Sequence, residues 1–178
     1  MGRIKRFWPI IAVIWAIAAC SQQTQDLYKI EIERACQGCD LQGVNLAGQK
    51  LSAKYRVPLR NAPLSTGPEG LNQAAAVDLT GSNLHNANLS NADLYEVILN
   101  QTNLREANLS GANLKEAQLK GANLSQANLQ KAKLQGANLQ NADLTGADLR
   151  QANLEDANLR GADFTDALTT GAKGLGAE

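Results

Sequence analysis

From Leu79 onward a large apolar residue returns at every fifth position without a gap, ending at Phe164. That makes (164 − 79)/5 + 1 = 18 units, 17 with Leu and one with Phe. Two residues before each stands a small residue: Ala in 14 units, and Val77, Ser82, Val97 or Thr102 in the other four. Between the two comes mostly Asn or Asp, so the unit reads A-(N/D)-L-x-x, as in Ala107-Asn108-Leu109-Ser110-Gly111. An internal repeat this regular governs the whole fold. A step of five rotates an α-helix by about 500°, a net 140°, which spirals the leucines around the axis. On a straight strand an odd step alternates faces, sending successive leucines to opposite sides. The pattern is satisfied when the chain turns a corner once per unit. Ala and Leu, two apart, then point inward from a short extended side, and the next two residues form the corner. Four corners close a coil of twenty residues. Gly, Asn, Asp, Ser and Gln crowd the corner positions, as turn chemistry requires.

Composition agrees with a stacked interior. The 178 residues are 44% hydrophobic but only 4% aromatic, and both tryptophans, Trp8 and Trp15, lie outside the array. Identical rungs stack best with small and medium side chains. The length suits one domain. With 17 Lys+Arg against 17 Asp+Glu, no basic surplus points to nucleic acid. One histidine argues against a His-based catalytic or metal site.

Over nearly all of residues 40–166 the sequence resembles the pentapeptide-repeat proteins. The resemblance implies an all-β fold, a right-handed quadrilateral β-helix with the central Leu/Phe and the preceding small residue facing inward. Asp40-Leu41, Asn45-Leu46 and Lys50-Leu51 share the register and add an opening partial coil. Ser52 to Ala76 breaks it and carries Pro58, Pro63, Pro68, Gly67 and Gly70, which reads as an extruded loop between first and second coils. The expected organisation is a signal peptide over 1–19, a linker or cap over 20–39, the β-helix over 40–168 with its loop at about 52–76, and a flexible tail over 169–178. At a spacing of ~4.8 Å per coil the rod is about 25 Å tall. A filled prism of this kind offers no concave pocket.

Arg3, Lys5 and Arg6 precede an apolar run from Phe7 to Ala19, followed by Cys20. The run is shorter than the ~20 residues that cross a membrane comfortably. A basic start, a short apolar core and small residues at its end form a secretory signal peptide. Ile17-Ala18-Ala19-Cys20 resembles a bacterial lipobox, which implies cleavage before Cys20 and acylation there. Two other outcomes stay open. Ala16-Ile17-Ala18 also fits an A-x-A cleavage rule and would release a soluble protein, or the segment stays uncleaved as a short anchor.

With Cys20 assigned to lipid, Cys36 and Cys39 remain as a pair in an oxidising compartment, where a structural disulfide is expected. The loop it closes is tiny, so its entropic contribution is small. Zinc would need four ligands, and no second pair or nearby His is present. A thioredoxin-like redox pair would need a βαβ context, but repeats follow Cys39. A reduced, inert pair is the remaining reading.

The outward positions are polar. From residue 78 to 166 there are eleven acidic and seven basic residues, a net charge of −4. Some pentapeptide-repeat proteins resemble DNA in shape and charge and bind gyrase. Duplex DNA carries one charge per ~1.7 Å, so a rod of this height would need on the order of fifteen uncompensated charges. Tyr95, Val97 and Ile98 depart from the polar pattern and read either as an irregularity of the coil or as a modest contact patch for a partner or for the 52–76 loop. His85 reads as surface decoration, and Asp163 with Asp166 as repeat residues without the cleft a carboxylate pair needs. The expectation is an exported, lipid-anchored lipoprotein facing the periplasm or the cell exterior. It is a non-catalytic, monomeric scaffold or protein-interaction module with no cofactor and no nucleic-acid ligand. Its partners are an unidentified protein and, through the lipid, a membrane. The alternatives are a DNA-mimic regulator of gyrase and a redox protein using Cys36 and Cys39.

Overall fold

A computed structural model describes residues 37–51 and 76–176. They form a right-handed quadrilateral β-helix in which every side is one short extended step and every corner one tight turn. Parallel single-residue bridges join positions twenty apart: Asn83↔Asn103, Asn103↔Asn123, Asn123↔Asp143 and Asp143↔Asp163 on the first side, with matching series on the other three. The first side carries six rungs, from Asp40 to Asp163. Five intervals of ~4.8 Å make a prism about 24 Å tall.

The corner is built identically throughout. The amide after each turn donates back across it, as in Ala87 N–H to Leu84 C=O at 3.1 Å. The turn's third residue is left-handed at every fifth position from Gly81 to Gly171, as a type II turn requires. Glycine fills some of these sites, but twelve are non-glycine residues with φ of 55–61°. Coils are joined vertically by bonds such as Leu104 N–H to Asn123 C=O at 2.7 Å and Asn103 N–H to Ser82 C=O at 2.9 Å.

Inside, the leucines from Leu79 to Leu154 stack with at most 1% exposure, and the alanines beside them are equally buried. Two hydroxyls share this interior. Ser82 and Thr102 are fully buried above Cys39 in one column, and Thr102 Oγ1 donates to Leu79 C=O at 2.9 Å. A buried hydroxyl must find such a partner to avoid its desolvation cost.

Three boundaries differ from the sequence expectation. The array begins earlier than residue 40, because Gly38 N–H already bonds Thr80 C=O and Cys39 takes the inward small-residue position before Leu41. The first coil pairs with the second at an offset of 43, in Asp40↔Asn83, Asn45↔Asn88 and Lys50↔Asp93. The next bridge, Asp78↔Ile98, is back at twenty. The 23 extra residues therefore enter at the third corner of the first coil and not between coils. At the other end pairing continues past 168, through Asp148↔Leu168 and Asn153↔Lys173. Gly174, at φ 83°, then carries the chain over the Leu154 backbone, so close that a Cβ has no room. Leu175 packs partly buried on the core. These residues lie in the expected tail, and the tail closes the last coil.

Candidate functional site

With the interior of the described residues filled by apolar side chains and the two hydroxyls of Ser82 and Thr102, the charged and amide side chains lie on the four outer sides. Four columns of outward side chains precede the corners, and their Asn or Asp residues do two jobs. In most of them the side-chain oxygen accepts the amide two residues on, as in Thr80 N–H to Asp78 at 2.9 Å, Arg105 N–H to Asn103 at 3.2 Å and Thr165 N–H to Asp163 at 2.8 Å. This Asx turn fixes the corner locally. Asparagine also links coils: Asn83 Nδ2 donates to Asp40 Oδ1 at 3.0 Å, Asn103 Nδ2 to Asn83 Oδ1 at 3.0 Å, and Asn113 Nδ2 to Asp93 Oδ1 at 2.8 Å. The N/D preference of the repeat thus follows from its corner, and asparagine alone of the two can donate to the coil below.

Several charges are compensated within the wall. Arg150 grips Asp148 through Nε at 2.9 Å and Nη2 at 2.6 Å, while Gln130 Nε2 adds a bond at 2.6 Å. The Arg150 hydrogen bonds hold the Asp148 carboxyl down at about 2. Hydrogen bonds from Thr165 lower Asp163. Arg105 bonds Glu106 at 3.1 Å and Gln126 at 3.1 Å, and His85 lies 3.9 Å from Glu106. The third side is the least regular: Asn113 Oδ1 and Gln135 Oε1 are buried without a hydrogen-bond partner. Among the described residues no group of three or more His, Cys, Asp or Glu is placed to hold a metal ion, and no helix is long and apolar enough to cross a membrane.

The expected site residues separate. Tyr95 and Ile98 do point outward, on either side of one corner, and are half-buried. The Glu96 carboxylate beside Tyr95 pushes its hydroxyl above the ordinary value. Val97 does not belong with them. It is fully buried in the small-residue position of the inward column, over Val77, because the residue two before each leucine always faces the core. Of the three, only Tyr95 and Ile98 are open to solvent. Cys39 is buried and disulfide-bonded, whereas Cys20 and Cys36 lie outside the described residues. Reading by repeat position missed Leu168, which stands in an outward column and is 52% exposed. Its signal was present in Ala167-Leu168-Thr169, where the leucine is displaced by one position from the period.

A family model of pentapeptide repeats, eight copies, matches residues 75–111, 87–126 and 127–166. No curated protein matches the chain. Among solved structures the chain is 44% identical to a pentapeptide repeat protein, Rfr23, from the cyanobacterium Cyanothece 51142, covering 84% of this chain and 97% of that one, with a TM-score of 0.41. It is 44% identical to alr5209, a pentapeptide repeat protein from Nostoc PCC 7120, over 42% of this chain and 62% of that one, TM-score 0.42. HetL, a pentapeptide repeat protein involved in heterocyst differentiation regulation in Nostoc sp. PCC 7120, is 27% identical over 79% and 65%, TM-score 0.38. The repeat unit, the twenty-residue coil and the matched family model agree, and the chain belongs to the pentapeptide-repeat family.

Proposed function

We propose that this protein is an exported lipoprotein, acylated at Cys20, that presents its flat polar sides to a protein partner as a rigid, non-catalytic scaffold. The observation that carries the reading is the filled interior. Among the described residues, leucines at 0% exposure from Leu99 to Leu154 fill the space in which a substrate or cofactor would be enclosed. What remains for recognition is the wall, whose Asn ladders and Asx turns fix side-chain positions in advance of binding. Such preorganisation reduces the ordering cost of association. The mixed and locally compensated charges of the wall speak against DNA mimicry, since Asp148 is neutralised by Arg150 and Glu106 by Arg105.

Export and anchoring rest on the basic start, the short apolar run and Ile17-Ala18-Ala19-Cys20. Loss of Arg3, Lys5 and Arg6 with the leader leaves 14 basic against 17 acidic residues, a mature charge of −3. Cys36 is the proposed partner of Cys39. Cys36 stands three residues before Cys39, the sequence separation of the first and last residues of a tight turn, whose Cα atoms come within about 7 Å and so within reach of a disulfide.

Metabolic labelling with a fatty-acid analogue, followed by membrane fractionation, tests the anchor. Wild-type protein takes up label and sediments with membranes, and Cys20→Ala does neither. Label retained in Cys20→Ala, or absent from both proteins, contradicts the proposal.

A further inference from the structure

Glu106 and Asp148 meet arginines on the wall, whereas Glu96 and Glu116 meet none. These two occupy one corner column in consecutive coils, both exposed, and neither forms an ion pair among the described residues. Lys115 stands over Tyr95 in the next coil and pairs with neither of them. The same corner carries Tyr95, the one outward tyrosine among the described residues, and Ile98, whose column otherwise holds Asp78, Gln118, Asn138 and Asn158. A hydrogen bond to the Glu96 carboxylate, with the charge of Glu116 behind it, pushes the Tyr95 hydroxyl above its ordinary value. An aromatic ring, an aliphatic side chain and two carboxylates without an ion pair thus share one corner.

We propose that this corner docks an arginine-bearing segment of the partner protein, the guanidinium lying on the Tyr95 ring beside Glu96 and Glu116 and an adjacent aliphatic side chain resting on Ile98. The inference rests on the reading that the wall, and no pocket, meets the partner. Each group suits that occupant. A cation over an aromatic face is attracted by the ring quadrupole, and a planar guanidinium stacks there as a compact ammonium does not. The bond to Glu96 holds the tyrosine in place before binding, which reduces the ordering cost. Glu96 and Glu116, one coil or ~4.8 Å apart along the rod, supply acceptors for the guanidinium donors, and such charge-assisted bonds are the strong ones. Covering Ile98 removes apolar surface from water. The other acidic stretch lacks this combination. Asp143, Asp163 and Asp166 stand on a side with no tyrosine and no aliphatic side chain facing outward.

The test uses the purified full chain in detergent and a short fluorescent peptide that alternates arginine with leucine, followed by anisotropy. Versions with lysine or glutamate in place of arginine run beside it. The Arg–Leu peptide should bind about fivefold more tightly than Lys–Leu, and Glu–Leu should not bind. Tyr95→Ser/Ile98→Ser and Glu96→Gln/Glu116→Gln should each weaken Arg–Leu binding about fivefold or more. Asp163→Asn/Asp166→Asn should leave it unchanged. The substituted side chains all face outward, and circular dichroism checks that each variant folds. Four results overturn the proposal: no binding by wild type, equal affinity for Arg–Leu and Lys–Leu, equal affinity of wild type and Tyr95→Ser/Ile98→Ser, or a loss that follows Asp163 and Asp166 instead. Acylation plays no part in this binding, so Cys20→Ala should take the peptide as wild type does, whatever the labelling experiment returns.

Discussion

The left-handed corner position allows a paired test of what the repeat tolerates. Gln101 and Gly121 occupy the same corner in consecutive coils, at φ 56° and 65°. Their backbone bonding is equivalent, Gln101 N–H to Lys120 C=O and Gly121 N–H to Gln140 C=O, both at 2.9 Å. A side chain at left-handed φ costs about 1–2 kcal/mol, whereas glycine gives up about 0.5–1 kcal/mol through its greater freedom when unfolded. Gln101→Gly is therefore expected to stabilise by about 0.5–1 kcal/mol. Gly121→Ala should destabilise by a similar amount, and not through a clash, since a Cβ there stands 3.7 Å from Gln101 Cγ. Exchanging the two, Gln101→Gly with Gly121→Gln, should return close to wild type. For a domain of this size 1 kcal/mol moves the midpoint by about 2–4 °C, within reach of thermal or urea denaturation followed by circular dichroism. Gln101→Gly lowering the midpoint while Gly121→Ala raises it would refute the account of the corner.

Four further outcomes follow from the same geometry. Leu124→Ala empties a wholly buried rung and should cost about 3–5 kcal/mol in denaturant titration. Asn103→Leu removes both the Arg105 cap and the bond to Asn83, for about 1–2 kcal/mol, while Asn103→Asp keeps the cap and loses less. Asp148 ionises at about 2 in the folded chain against an ordinary 3.8, so its contribution is present above about pH 4 and lost as pH falls toward 2. Asp148→Asn should lower the urea midpoint at pH 7 and leave it unchanged at pH 2. Excising residues 54–76, 23 in number, restores the period as Lys50-Leu51-Ser52-Ala53-Val77-Asp78-Leu79. The shortened chain should keep the circular dichroism and cooperative melting of the parent.

The inward column was readable from sequence because its signal is repetition: Leu109 and Leu129 need no knowledge of their neighbours to be placed. The corner was readable only in outline. A period of five marks two residues as a turn, but nothing in Glu106 or Gln126 advertises a left-handed backbone, which the coil imposes on whatever residue arrives there. Val97 looks like a surface residue by its apolar neighbours Tyr95 and Ile98, but its place in the repeat buries it, and position decides over company in a solenoid. Cys39 falls within the expected linker over 20–39, yet its small size suits the inward slot before Leu41. The closing of the last coil by Gly174 and Leu175 had no periodic signal at all. It depends on the Leu154 backbone, twenty residues away.

The central claim is that one flat side of a filled prism, and no pocket, meets the partner. A photoreactive benzophenone residue placed in turn at Ser110, Lys115, Lys120 and Ser125, and again twenty residues on at Gln130, Gln135, Gln140 and Thr145, samples each side in two coils. Irradiation of the anchored protein in membranes should yield adducts whose intensity repeats every twenty residues, strong on one side and weak on the opposite one. Adducts at every position without that repeat, or at none of the eight, would contradict the account.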